Sequence, residues 1–157
     1  KKRNIDLKDL GSLDVKRRDV FFGTVLLALF IALEEIYMWI LGIEMPEGFI
    51  TFMLSEPIIL GLISVVIVAP IAEEFLFRGF LFSQLKRTKL GAWGAVGLSS
   101  LLWTIIHFQY EPLILFVLFI FGIFLGYIRM AYGSLSLPII LHAINNAFAF
   151  GLAYFLY

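Results

Sequence analysis

Apolar residues run along this chain in five long blocks, separated by short polar links. A helix crossing a hydrocarbon core of about 30 Å needs about 20 mostly apolar residues. The blocks 20–41, 57–82, 91–108, 112–128 and 135–157 are of that order, and each reads as a spanning helix. The second is long enough to tilt or bend, with Pro70 as its expected kink. The third is rather short. No strand pattern, repeat or low-complexity tract appears. The expected fold class is therefore all-α, a polytopic transmembrane helix bundle of about five spanning helices over residues 20–157. Residues 1–19 read as a cytoplasmic arm, either a short amphipathic helix on the interface or a flexible segment.

The links carry charge in alternation. The arm holds Lys1, Lys2, Arg3, Lys8, Lys16, Arg17 and Arg18, and the link after the second block holds Lys86, Arg87 and Lys89. Arg129 follows the fourth block. The intervening links hold Glu44, Glu47, Glu56 and Glu111 and no lysine or arginine. Cytoplasmic loops are enriched in basic residues, so the N-terminus is expected in the cytoplasm and the C-terminus outside. Gly122 and Gly126 form a G-x-x-x-G, which lets two helices approach closely. Packing inside the bundle is the favoured reading, a dimer contact the alternative.

Composition supports the membrane reading. Of the 157 residues, 61% are hydrophobic and 15% charged, against roughly 45–50% and 25% in soluble domains. The mean hydropathy is +0.97. The chain has no cysteine, which excludes disulfides, thiolate metal sites and cysteine nucleophiles. The formal net charge is zero and no basic surface suggests nucleic acid. The chain opens at Lys1 without methionine, which reads as a trimmed or partial sequence.

The chemistry resides in the polar residues inside the apolar blocks. An Asp, Lys or Arg at the centre of a spanning helix costs about 2.5–3.5 kcal/mol, so such residues face the bundle interior or a wet cavity. The set here is Glu34, Glu35, Glu73, Glu74, Arg78, His107, His142, Asn145 and Asn146. Glu74 and Arg78 are four apart and can pair on one helix face; a buried pair that only stitches helices together is the plain reading. Glu73 points about 100° away and has no partner at helical spacing. It is the candidate to take and return a proton. His142 and Asn146 are also four apart. They either bind a polar group together, or Asn146 fixes the imidazole tautomer. His107 follows Trp103 by four but sits near the outer end of its block, whereas Glu73 and His142 are expected nearer the cytoplasmic half. Glu34 and Glu35, next to Tyr37 and Trp39, suit the wet interface better than the same cavity.

EEFLFR matches E-E-x-x-x-R, WTIIH resembles F-x-x-x-H with Trp103 in place of Phe, and HAINN matches H-x-x-x-N. In this order on successive apolar segments, they resemble the motifs of the CAAX prenyl endopeptidase and bacteriocin-processing family (CPBP, Abi). The likeness covers roughly residues 57–157. Family members usually have more helices, so terminal helices are expected to be missing from this chain. The resemblance implies an intramembrane endopeptidase acting, near the cytoplasmic face, on a hydrophobic or lipidated, CAAX-like peptide or prenylated protein. It implies that Glu73 activates water, His107 helps hold that water, and His142 and Asn146 stabilise the oxyanion. Glu74 and Arg78 would shape and neutralise the site. Glu73, His107 and His142 are an acceptable zinc set, but H-E-x-x-H is absent and Asn is a poor zinc ligand. The metal-free route is favoured, and no cofactor is expected.

The resemblance also implies a multi-pass protein of a prokaryotic cell membrane, in contact with lipid and open to a membrane-protein partner. The runner-up is a non-catalytic peptide-binding protein, for immunity or partner regulation, that keeps the pocket. A proton or solute pathway comes third, because no inverted repeat is visible.

Overall fold

The computed structural model describes residues 10–55 and 57–156, the side chains of 52–54 and 156 excepted. The first nine residues of the arm, Glu56 and Tyr157 lie outside it. Six helices follow in order: α1 (Arg17–Leu41), α2 (Glu47–Ser55), α3 (Ile58–Leu85), α4 (Gly91–Ile105), α5 (Pro112–Tyr132) and α6 (Ser136–Leu156). α1, α3, α5 and α6 are long and apolar enough to cross a membrane; α4 is the shorter apolar helix. The all-α bundle is the one expected, with α2 a short addition in the link between the first two spans.

The bundle is apolar outward as well as inward. Leu29, Leu33, Ile36 and Ile40 share a face of α1 and are exposed, as lipid contact requires. The core joins Leu27 of α1, Trp103 of α4, Phe121 and Leu125 of α5 and Leu141 of α6. Spans successive in the chain alternate in direction, as short links demand. Gly23 of α1 packs on Leu137 and Leu141 near the start of α6, whereas Gly61 of α3 meets Phe150 near the end of α6. One end of the bundle therefore gathers the start of α1, the α3–α4 link and the α5–α6 turn. The other gathers the α1–α2 link, α2 and the α4–α5 link.

Several boundaries differ from the sequence reading. α1 begins at Arg17, so Arg17 and Arg18 lie in its first turn. Gly42 ends it at φ 62°, with Ile43 N–H bonded back to Met38 O, a left-handed closure that glycine adopts without strain. Residues 10–16 form no α-helix. They strap across the α5–α6 turn, with Ser12 N–H to Gly133 O at 3.2 Å and Leu135 N–H to Ser12 O at 2.8 Å. α5 runs on to Tyr132, so Arg129 is not in a wet link. It is buried, donating from Nε to Arg78 O at 3.1 Å.

Gly122 and Gly126 face α4 within the chain. A Cβ at Gly122 would stand 3.0 Å from Ser100 Cβ and 3.3 Å from Trp103 Cε3, and one at Gly126 would stand 3.0 Å from Val96 Cγ1. The G-x-x-x-G is internal packing between α4 and α5.

Pro70 does not break α3. Two stretches of the helix, Leu62–Val68 and Phe75–Leu81, are wound in the wider π form on either side of it. Such bulges absorb a proline by changing the bonding register. Ala69 N–H bonds to Ser64 O, five residues back. In the same register Val65 O would take its bond from residue 70, and proline has no N–H to give.

Candidate active site

A cavity of about 530 Å³ opens between α1, α2, α3, α5 and α6, at the end where α4 stops. Its existence follows from the length of α4. Fifteen residues rise only about 22 Å, short of a ~30 Å core. The chain then turns through 106–111, short of a full crossing. This removes the depth mismatch between His107 and Glu73. His107 lies in that turn just past α4, and lines the same cavity as Glu73, His142 and Asn146.

Glu73 and Glu74 part as the helical spacing requires. Glu74 and Arg78 are fully buried, and Arg78 Nη1 donates to Glu74 Oε1 at 3.0 Å. Arg78 Nη2 donates to Gly122 O at 2.9 Å, an approach that a side chain at 122 would crowd. The guanidinium carbon also lies 5.1 Å from the Trp103 ring centroid, a favourable cation–π placement. The pair does more than stitch helices. Glu74 Oε1 also accepts from His142 Nδ1 at 3.0 Å. A carboxylate paired with arginine can only accept, so the proton of His142 is on Nδ1 and its Nε2 carries the lone pair. That Nε2 lies 4.0 Å from Glu73 Oε2. Glu74 thus sets the tautomer, a role the sequence reading offered to Asn146.

Glu73 has no partner on its own helix but finds one on α4. Trp103 Nε1 donates to Glu73 Oε2 at 2.5 Å. Sequence reasoning passed over Trp103 as a substitute for Phe; the i, i+4 spacing to His107 was the available signal that it faces the site. His107 Nδ1 donates to Trp103 O at 2.9 Å, so its Nε2 is again the free lone pair. The rings of Trp103 and His107 lie 4.8 Å apart, and Tyr110 stacks on His107 at 6.2 Å, carrying a line of rings from Glu73 to the mouth. Burial holds the Tyr110 phenol above its ordinary range, and the Glu73 charge pushes the same way against a hydrogen bond with Gln109.

Asn146 Nδ2 donates to Val65 O at 2.9 Å, the carbonyl that Pro70 leaves without a backbone donor. A carboxamide nitrogen has two hydrogens, so one is left for the cavity. Asn145 lines the cavity as well, and so do Glu34 and Glu35, which the sequence reading had placed at the wet interface.

Among the described residues no three His, Asp or Glu side chains are placed to hold a metal ion. Glu73, His107 and His142 line one cavity.

The geometry can therefore hold a water against a carboxylate flanked by imidazole, beside amide donors, in a pocket lined with apolar side chains. Three comparisons bear on it. A family model described as type II CAAX prenyl endopeptidase Rce1-like matches residues 55–148. A protein of Escherichia coli described as "Uncharacterized 24.3 kDa protein" is 34% identical over 102 residues, which are 61% of this chain and 47% of that protein. The chain thus spans about half the length of that curated relative. No solved structure matches the chain. The matched residues contain the whole set of Glu73, Glu74, Arg78, His107, His142 and Asn146 together with the helices that position it, and the chain belongs to the Rce1-like family of type II CAAX prenyl endopeptidases.

Proposed function

We propose that this protein is an intramembrane endopeptidase that hydrolyses a peptide bond in a hydrophobic or lipidated, CAAX-like peptide. The observation that carries the reading is the placement of Glu73. Its Oε2 is held by the Trp103 indole and lies 4.0 Å from His142 Nε2, on the wall of a cavity large enough for a peptide segment. The roles follow from the atoms. Glu73 takes a proton from a water, and the resulting hydroxide attacks the peptide carbonyl carbon. The second Asn146 N–H is the donor toward the developing oxyanion. On collapse the C–N bond breaks, and Glu73 returns its proton to the leaving amine. His107 and His142 each keep Nδ1 bonded to protein, so each Nε2 is an acceptor; the water directs one O–H at Glu73 and has one O–H left, which one imidazole Nε2 accepts to orient it. Glu74 and Arg78 touch no substrate in this scheme; they are positioning residues for His142.

The test is cleavage of prenylated and unprenylated hydrophobic peptides in nanodiscs, read by mass spectrometry, for wild type and Glu73→Gln. The amide keeps the shape of the carboxylate but cannot take up the proton. Cleavage by wild type and none by Glu73→Gln is the expected result. Equal peptide binding by both, with no cleavage by either, would overturn the reading in favour of a non-catalytic pocket.

A further inference from the structure

The cavity and the basic residues of this chain lie at opposite ends of the bundle. The mouth is formed by the C-terminal part of α1, the α1–α2 link, α2 and the α4–α5 link. Among the described residues these segments carry Glu34, Glu35, Glu44, Glu47 and Glu111 and no lysine or arginine. Lys16, Arg17 and Arg18 stand at the start of α1, and Lys86, Arg87 and Lys89 in the α3–α4 link. Both clusters are at the far end, and buried Arg129 lies toward it on α5. The cavity floor at Glu73 and His142 is mid-bundle. From His142 to Leu152, both lining residues, α6 rises about 15 Å, all of it toward the acidic end. No residue of the basic clusters lines the cavity.

Basic loops stay on the cytoplasmic side, and carboxylates contribute little to that choice. Two separate basic segments, on links before α1 and before α4, give the same orientation. We infer that the catalytic cavity opens to the non-cytoplasmic side, opposite to the cytoplasmic face expected from the sequence, and that its substrate is a peptide segment presented there, such as a translocated peptide or the outer flank of a membrane-inserted one. The substrate part of this inference rests on the endopeptidase reading; the orientation does not.

The absence of cysteine makes the test direct. Single-cysteine variants Gly48→Cys, in α2 at the mouth, and Thr88→Cys, in the α3–α4 link, leave every charge in place. A Cβ at Gly48 meets nothing within 4 Å, and Thr88 is exposed. Both would be treated with a membrane-impermeant maleimide in intact cells and in inverted vesicles. The expected result is labelling of Gly48→Cys and not of Thr88→Cys in cells, with the reverse in inverted vesicles. The opposite pattern, or labelling of both in intact cells, overturns the inference. A membrane-impermeant hydrophobic peptide, offered from outside to sealed right-side-out vesicles, then tests the substrate side. It is expected to be cut by wild type and spared by Glu73→Gln. Cutting only from the cytoplasmic face overturns the substrate assignment. The expected labelling with cleavage from neither face overturns the endopeptidase reading and its substrate, and leaves the orientation standing.

Discussion

The bond from Asn146 to Val65 O invites a test, because Asn146 is given two duties that one substitution would confuse. In the π register of α3, Val65 O faces residue 70, and Pro70 has no N–H. Asn146 Nδ2 supplies the bond from α6 at 2.9 Å. Asn146→Ala removes that donor and leaves a half-buried carbonyl unpaired, at a cost of about 1–3 kcal/mol, toward the upper end where no water reaches it. It also removes the donor proposed for the oxyanion, which commonly costs about 10²–10³ in turnover. Pro70→Ala separates the two. It restores a backbone N–H that Val65 O can accept from, so in that background Asn146→Ala is expected to cost less than about 1 kcal/mol of stability. The turnover loss is expected to stay the same in both backgrounds. The assay is a four-protein cycle, with unfolding followed by sodium dodecyl sulfate titration in mixed micelles and peptide cleavage measured alongside. An equal stability cost of Asn146→Ala with and without Pro70 would refute the orphan-carbonyl argument. Full turnover by Asn146→Ala would refute the oxyanion role.

Glu74→Ala leaves the Arg78 guanidinium buried without its counter-charge, and is expected to lower stability by about 3–5 kcal/mol. The double variant Glu74→Leu, Arg78→Met is expected to lose clearly less in the same titration, and a loss as large as the single would show that the pair is not the cause. Trp103→Phe keeps a ring against Arg78 and His107 but deletes the donor to Glu73 Oε2. A hydrogen bond to a charged group contributes about 1.5–3 kcal/mol, so kcat is expected to fall about tenfold or more with KM little changed; an unaltered kcat would remove Trp103 from the positioning of Glu73.

Much of this protein was legible in the sequence because its governing rules are local. Block length and apolar content fix the spanning helices, since a backbone in lipid must satisfy its own hydrogen bonds. The i, i+4 spacing placed Glu74 beside Arg78 and turned Glu73 away, and three polar motifs on three apolar segments identified which residues had to meet. What the spacing leaves undetermined is any contact between helices. Nothing local says that Trp103 reaches Glu73, that Glu74 and not Asn146 fixes the His142 tautomer, or that Asn146 answers a carbonyl 81 positions away. The depth of His107 depends on where α4 stops, and Arg129 is buried because α5 runs one turn further than its hydropathy suggested. These are decided by how the helices pack, since a buried polar atom must be paired by whatever donor or acceptor the neighbouring helix brings within reach. The sequence chose the groups; the bundle chose their partners.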